Sequence, residues 1–220
     1  MGVLEAVARM VQLGGVPGRA AAVATMRAAF EARTGAFVPD AAWFEERSRA
    51  FWSDAVTTGR FGRQVEAELD EAERRWLVPL ERAHRGLFRA EAEVLVDAWS
   101  GAELVVAFVD ESSRAELDAS AGQFFDARVV ASQDPFEVTM LPGAVFHPRD
   151  ATPCITPVLA AARERHLTTG DTLDALLRMN RALRSLSRVK VAYAYRAEAL
   201  SPHAPTLPHP PVRRTGKAPT

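Results

Sequence analysis

The sequence predicts an α+β fold: a helical N-terminal part packed on a small mixed or antiparallel sheet, with two C-terminal helices. Three observations predict it. Apolar residues recur at helical spacing through about the first 85 positions. At Gly86 the texture changes to short valine-rich runs broken by turn signals. After Pro153 helical spacing returns twice. That strands and helices do not alternate one for one argues against a doubly wound nucleotide-binding sheet. The expected divisions are residues 1–85, residues 86–198, and a proline-rich tail over 199–220.

The helical part begins with Val3–Leu13, stopped by Gly14 and Gly15. Arg19–Arg33 follows, with Val23, Met26 and Phe30 on one stripe and Gly35 as its C-cap. Asp40 is placed to N-cap a helix over Ala41–Thr57. Phe61, Val65, Leu69, Ala72, Trp76 and Leu80 give the clearest periodicity in the chain, ended or kinked by Pro79.

Leu87–Val96 and Glu103–Val109 read as two strands around the turn Asp97–Gly101. Ser112–Leu117 reads as a single helical turn. Phe124–Ala131 and Glu137–Leu141 are further strands, and Pro142-Gly143 turns into the short Ala144–His147 segment. Ile155–Arg165 and Asp171–Leu186 are the two later helices. The alternation of Val189, Val191, Tyr193 and Tyr195 suggests a last strand with one buried face. Pro202, Pro205, Pro208, Pro210 and Pro211 stand in a polar tail that cannot build a core.

Composition narrows the function classes. With 27 basic and 28 acidic residues the net charge is −1, which argues against a generalised nucleic-acid binder. Lys190 and Lys217 are the only lysines, a bias toward arginine that, with abundant alanine, reads as a GC-rich bacterial coding sequence. Cys154 is the sole cysteine, so neither an intrachain disulfide nor a multi-cysteine zinc site can form. Glu5 and Arg9 interrupt what would be the apolar region of a leader, and no window resembles a membrane span. The expected location is therefore the cytoplasm.

No catalytic motif is legible, and no cofactor or metal is expected. His84, His147, His166, His203 and His209 follow no metal-ligand spacing with each other or with Cys154. Ser100 lacks the glycine two places before it that a nucleophile elbow needs. Phosphate-loop and dinucleotide glycine patterns are absent. Asp97 and Asp110 close the ends of a strand and read as turn residues, and Glu45 and Glu46 as solvated helix positions.

The segment Asp40–Trp52 concentrates four aromatic rings and two arginines. On a helical wheel Ala41, Phe44, Phe51, Trp52 and Ala55 share the core arc, while Trp43 falls about 130° away, beside Arg47 and Asp54. An outward Trp43–Arg47 pair is the side-chain chemistry of interface hot spots. A second candidate is the stripe Arg178, Arg181, Arg184 and Arg188 on the last helix, suited to an acidic partner. The sequence thus suggests a non-catalytic adaptor or regulator that binds a protein partner through Trp43, Arg47, Asp54, Arg178, Arg181 and Arg184. Two alternatives accompany this reading: an enzyme or small-ligand binder with a cleft at Trp99, His147 and Asp97, and a nucleic-acid accessory protein using the last helix.

Overall fold

The structure is a computed structural model that describes residues 1–91, 94–107, 111–131, 137–186 and 189–201. Helices α1 (Val3–Gly14), α2 (Ala20–Thr34) and α3 (Phe44–Val56) lead into three short helices, α4 (Phe61–Gln64), α5 (Glu71–Arg74) and α6 (Leu77–Glu81). The strands β1 (His84–Glu91), β2 (Val94–Asp97) and β3 (Glu103–Val106) precede α7 (Glu111–Ala119). Then come β4 (Phe124–Ala131), β5 (Glu137–Met140), β6 (Val145–Phe146), α8 (Thr152–Glu164), α9 (Thr169–Ser185) and α10 (Val191–Ala194).

The strands close on themselves. The order is β1-β2-β3-β5-β4, and β4 pairs back onto β1, so every strand of the ring has two neighbours. All pairings in the ring are antiparallel except β3 with β5. With α7 between β3 and β4, this is the connectivity of a small five-stranded Greek-key barrel of the OB type. Alternation along each strand sends Phe88, Ala90, Leu95, Phe125, Ala127 and Val129 into the barrel, where Leu117 of α7 joins them. The outward residues Leu87 and Phe124 pack under α8, α9 and α10. A third core gathers α1–α6 and includes Val130, Leu141 and Val145 from the barrel side.

The α+β class holds, with helices flanking a mixed sheet, while several elements differ from the sequence reading. The periodic run from Phe61 to Leu80 buries Phe61, Val65, Leu69, Trp76 and Leu80 as expected, but it is not one helix. Asp70 and Glu73 form a reciprocal capping box that starts a new helix in its middle. Leu87–Val96 is not one strand: it divides between β1 and β2, which pair as a hairpin with Glu91 opposite Val94. The last alternating segment is helical, with Tyr193 exposed at 56% and Tyr195 buried at 2%. The helical turn brings Val191, Ala194 and Tyr195 onto one core.

One glycine fixes how the helical part meets the barrel. Gly143 has φ +91°, and a methyl there would overlap backbone atoms of Arg49 and Ala50. Helix α3 therefore lies directly on the Pro142–Gly143 corner, where Ser53 donates to the Pro142 carbonyl. The proline-rich tail from Pro202 onward lies outside the described residues, as do Asp110 and Arg188.

Candidate functional site

Of the six expected interface residues the chain buries Arg47 and Asp54, leaves Trp43, Arg178 and Arg184 half-buried, and exposes Arg181. Helix α3 begins at Phe44, and Trp43 is its N-cap residue rather than part of the wheel. Asp40 makes no cap bond to α3; Arg47 still stands one turn after Trp43, its N–H donating to the Trp43 carbonyl at 3.0 Å, but its side chain is buried. Trp43 is partly exposed, with its indole Nε1 buried and unpartnered. Arg47 is only 3% exposed. Its Nη2 donates to the Thr34 carbonyl at 3.1 Å, the Thr34 hydroxyl at 2.7 Å and the Gly35 carbonyl at 3.2 Å. It thereby caps the orphan carbonyls at the C-terminus of α2, with its guanidinium near the rings of Phe30 and Phe37. Burial pushes its pKa down to about 10.

Asp54 is 6% exposed and belongs to an ionic network between the helices and the outer barrel wall. It accepts from Arg33 at 2.7 Å and from Arg128 of β4. Arg33 also reaches Asp174 of α9 at 3.0 Å, and Asp174 accepts from Arg85 of β1 at 2.7 Å. Arg85 forks onto Asp126 of β4 through bonds of 3.1 and 2.6 Å. Desolvation pushes Arg128 down to about 10. It opposes the charge of Arg85 too, yet Asp126 and Asp174 hold that guanidinium above its ordinary range. Five elements meet in this network: α2, α3, α9, β1 and β4.

The arginines of the last long helix are likewise mostly used within the chain. Arg178 donates to the Arg33 carbonyl at 2.6 Å, a second bond to the end of α2. Arg184 pairs with Glu46 at 2.5 Å. Arg181 is exposed, its stem lying over Gly35. Arg178, Arg181 and Arg184 thus form no free basic stripe.

The residues of the suggested cleft are not brought together. Asp97 is buried at the end of the barrel opposite α7. There it accepts from the Trp99 N–H at 2.8 Å and the Ser100 hydroxyl at 3.0 Å, as a turn aspartate does. It also bonds His84 Nε2 at 2.9 Å, a contact that raises the pKa of the half-exposed imidazole. His147 is wholly buried elsewhere, with Nδ1 2.8 Å from the Tyr195 hydroxyl, and burial pushes its pKa down to about 4. Among the described residues no three His, Cys, Asp or Glu side chains are grouped to hold a metal ion, and no helix is long and apolar enough to cross a membrane.

Among the described residues one open surface is the outward wall of β2 and β3, and strand register defines it. One row across the barrel runs Phe124, Arg89, Val96, Glu103; the next runs Glu91, Val94, Val105, Glu137. Phe124 is covered, but Val105 is 42% exposed and Val94 and Val96 are partly so. Beside Val96 a cleft of about 200 Å³ opens against α8, lined by Arg89, Ala98, Phe124, Thr156, Leu159 and Arg163. Arg163 donates to the Ala98 and Trp99 carbonyls at 2.9 and 3.0 Å, and its guanidinium lies 5.1 Å from the Trp99 ring. The face is therefore apolar in the middle, mixed toward α8, where Arg89 and Arg163 stand with Glu91, and acidic toward β3 and β5.

Sequence reasoning did not single out this face. Its only signal was the placement of Val105 between the strand-start Glu103 and the later Glu137, and pairing those positions requires the parallel β3–β5 register. In barrels of this connectivity the wall of strands 2 and 3 carries oligonucleotides and oligosaccharides. Stacking of single-stranded bases needs aromatic rings and a positive groove; this wall presents valines in the middle, Arg89, Arg163 and the Trp99 ring toward α8, and glutamates at both ends of one row. Comparison with family models, with curated proteins and with solved structures finds no match.

Proposed function

We propose that this chain is a non-catalytic protein-interaction module, an adaptor or regulator in a signalling, polarity or assembly pathway, with a small GTPase or a response regulator as the kind of partner. Its docking surface is the outward wall of β2 and β3. The observation that carries the reading is the contrast between two walls of one barrel. The β1–β4 wall lies under helices, with Leu87 and Phe124 buried against α8 and α9, while Val94, Val96 and Val105 meet solvent. An apolar strip with charged borders is the composition of an interface core and rim. Trp43, partly exposed with its indole nitrogen buried and unpartnered, is secondary.

The test is capture by immobilised protein from source-cell extract, comparing the wild type with Val105→Glu. A partner retained by the wild type and lost with Val105→Glu, at unchanged melting temperature, supports the reading. The same retained set with both proteins overturns it.

The cleft beside α8 favours a second reading, a binder of small organic anions. Its volume of about 200 Å³ is smaller than the roughly 300–1,000 Å³ usual for ligand pockets. That reading predicts that millimolar benzoate raises the melting temperature of the wild type and not of Arg163→Ala. No shift with either protein removes it.

A further inference from the structure

We infer that the chain's own proline-rich segment beyond Ser201 lies across the open wall, its cations against Glu103 and Glu137, so that a partner must displace it. The inference rests on the docking-surface reading above and names the regulation of that surface. Three observations support it: where the chain leaves the described body, the order of chemistry in the segment, and the unpaired acids of the wall.

The chain leaves beside the C-terminal end of α8. Leu200 is 3% exposed, in the core against which Ala98 and Trp99 pack. Arg165, the C-cap of α8, holds the Ala197 carbonyl at 2.9 Å, while Arg163 holds the Ala98 and Trp99 carbonyls. One helix end thus anchors both the last described turn and the border of the wall. At about 3.1 Å per residue, Pro202–Val212 spans about 34 Å as a polyproline helix. The wall from β1 through β2 and β3 to β5 is about 14 Å wide at about 4.8 Å per strand. The segment therefore reaches the far edge with about 20 Å to spare for the approach.

Segment and wall also match in order. Pro202, Pro205, Pro208, Pro210 and Pro211 come before Arg213, Arg214 and Lys217, and no acidic residue follows Ser201. Proline-rich segments dock on apolar, aromatic-lined surfaces because their extended backbone has little freedom left to lose. Val94, Val96, Val105 and the Trp99 ring provide such a surface. Beyond it Glu103 and Glu137 make no ion pair among the described residues, whereas Glu91 is held by Arg89. Arg89 and Arg163 repel cations from the α8 edge, which sets the direction: prolines over the valines, cations at β3 and β5. The wall is small, but tethering offsets that. A short link holds its segment at an effective concentration of about a millimolar, so a contact too weak between separate molecules persists within one.

Nuclear magnetic resonance of the full chain in low-salt buffer tests the inference. A nitroxide on Ala218→Cys, in a Cys154→Ser background, should broaden the signals of Val94, Val96 and Val105. Those of the exposed Val38 and Val78 on the helical part should stay sharp. Reversing the cations with Arg213→Glu, Arg214→Glu and Lys217→Glu should abolish the broadening, and adding Glu103→Arg and Glu137→Arg should restore it. If circular dichroism shows that Cys154→Ser impairs folding, the cation reversal alone, which alters no described residue, should shift the same three valine signals. Broadening that is absent, spreads equally to Val38 and Val78, or survives the cation reversal overturns the inference, as do valine signals that the reversal leaves in place. Broadening seen only between molecules in a mixture makes a second copy the occupant and overturns it too. Freed of its competitor, the cation-reversed chain should bind a captured partner at least about two-fold more tightly, the factor for a wall covered in half the molecules. Equal binding overturns the displacement. Valine signals indifferent to the segment, with a partner still lost through Val105→Glu, refute the segment and leave the docking surface standing. A capture unaffected by Val105→Glu refutes the docking surface, and with it the displacement, whatever the valine signals show.

Discussion

Removing the carboxylate of Asp54 separates two accounts of helix α3. Were Asp54 an exposed interface group, Asp54→Ala would change stability by no more than about 0.5 kcal/mol. In the structure it is the acceptor for Arg33 and for the buried Arg128. Without it Arg128 keeps only the more distant attraction of Asp126 and faces the repulsion of Arg85 and Arg33. Stranding one partner of a buried ion pair costs about 3–5 kcal/mol. Native domains have only about 5–15 kcal/mol in total, so the variant should be visibly crippled. Urea denaturation followed by the fluorescence of the four tryptophans measures this without adding salt. With a slope of about 2 kcal/mol per molar urea, the midpoint should fall by about 2 M. Asp54→Ala combined with Arg128→Met should cost less than the sum of the single changes, because the second removes the stranded cation. A loss below about 1 kcal/mol for Asp54→Ala, or strict additivity with Arg128→Met, refutes the argument.

The remaining predictions concern pH and the helix–barrel contact. His147 has a folded-state pKa near 4 against an ordinary 6.5, so the unfolded chain binds its proton first. Its stability contribution is complete above pH 6.5 and declines as pH falls toward 4, by about 3 kcal/mol in all; a His147→Gln variant whose melting temperature follows the same acid slope as the wild type contradicts this. His84 acts in the opposite direction. Its pKa is raised by Asp97, so its contribution is present below 6.5 and is lost as pH rises through the folded value, a slope that His84→Asn should remove from melting curves. Gly143→Ala forces a side chain into the backbone of α3 at a positive φ, and should cost more than the 1–3 kcal/mol of backbone strain alone. A melting temperature within about 2 °C of wild type argues against the close contact.

Much of the fold was legible because burial follows periodicity whatever the backbone does between repeats. Phe61, Val65, Leu69 and Leu80 reach the core although their helix is broken at Asp70. Phe124–Ala131 was legible to the residue, since a valine- and phenylalanine-rich run with polar flanks suits a strand covered on both faces. Closure of the ring was not legible: it depends on β1 pairing with β4 and β3 with β5, contacts between distant segments. The burial of Arg47 and Asp54 was not legible for a related reason. A wheel treats Arg47 and Asp54 as polar and therefore outward. It cannot see that the end of α2 needs a cap, or that Arg128 lies across the junction and needs a counter-charge. Charged residues are almost never buried unless paired, and here the partners of Arg47 and Asp54 come from α2 and β4. The open valine wall escaped notice because valine in a strand reads as core until the neighbouring helices are placed.

The most direct test pairs two variants in one capture experiment, Val105→Glu on the barrel wall and Trp43→Ala at the start of α3. The account predicts that Val105→Glu loses the captured partner at unchanged melting temperature and that Trp43→Ala retains it. Retention by Val105→Glu with loss by Trp43→Ala would move the docking surface back to the aromatic helix and contradict the account.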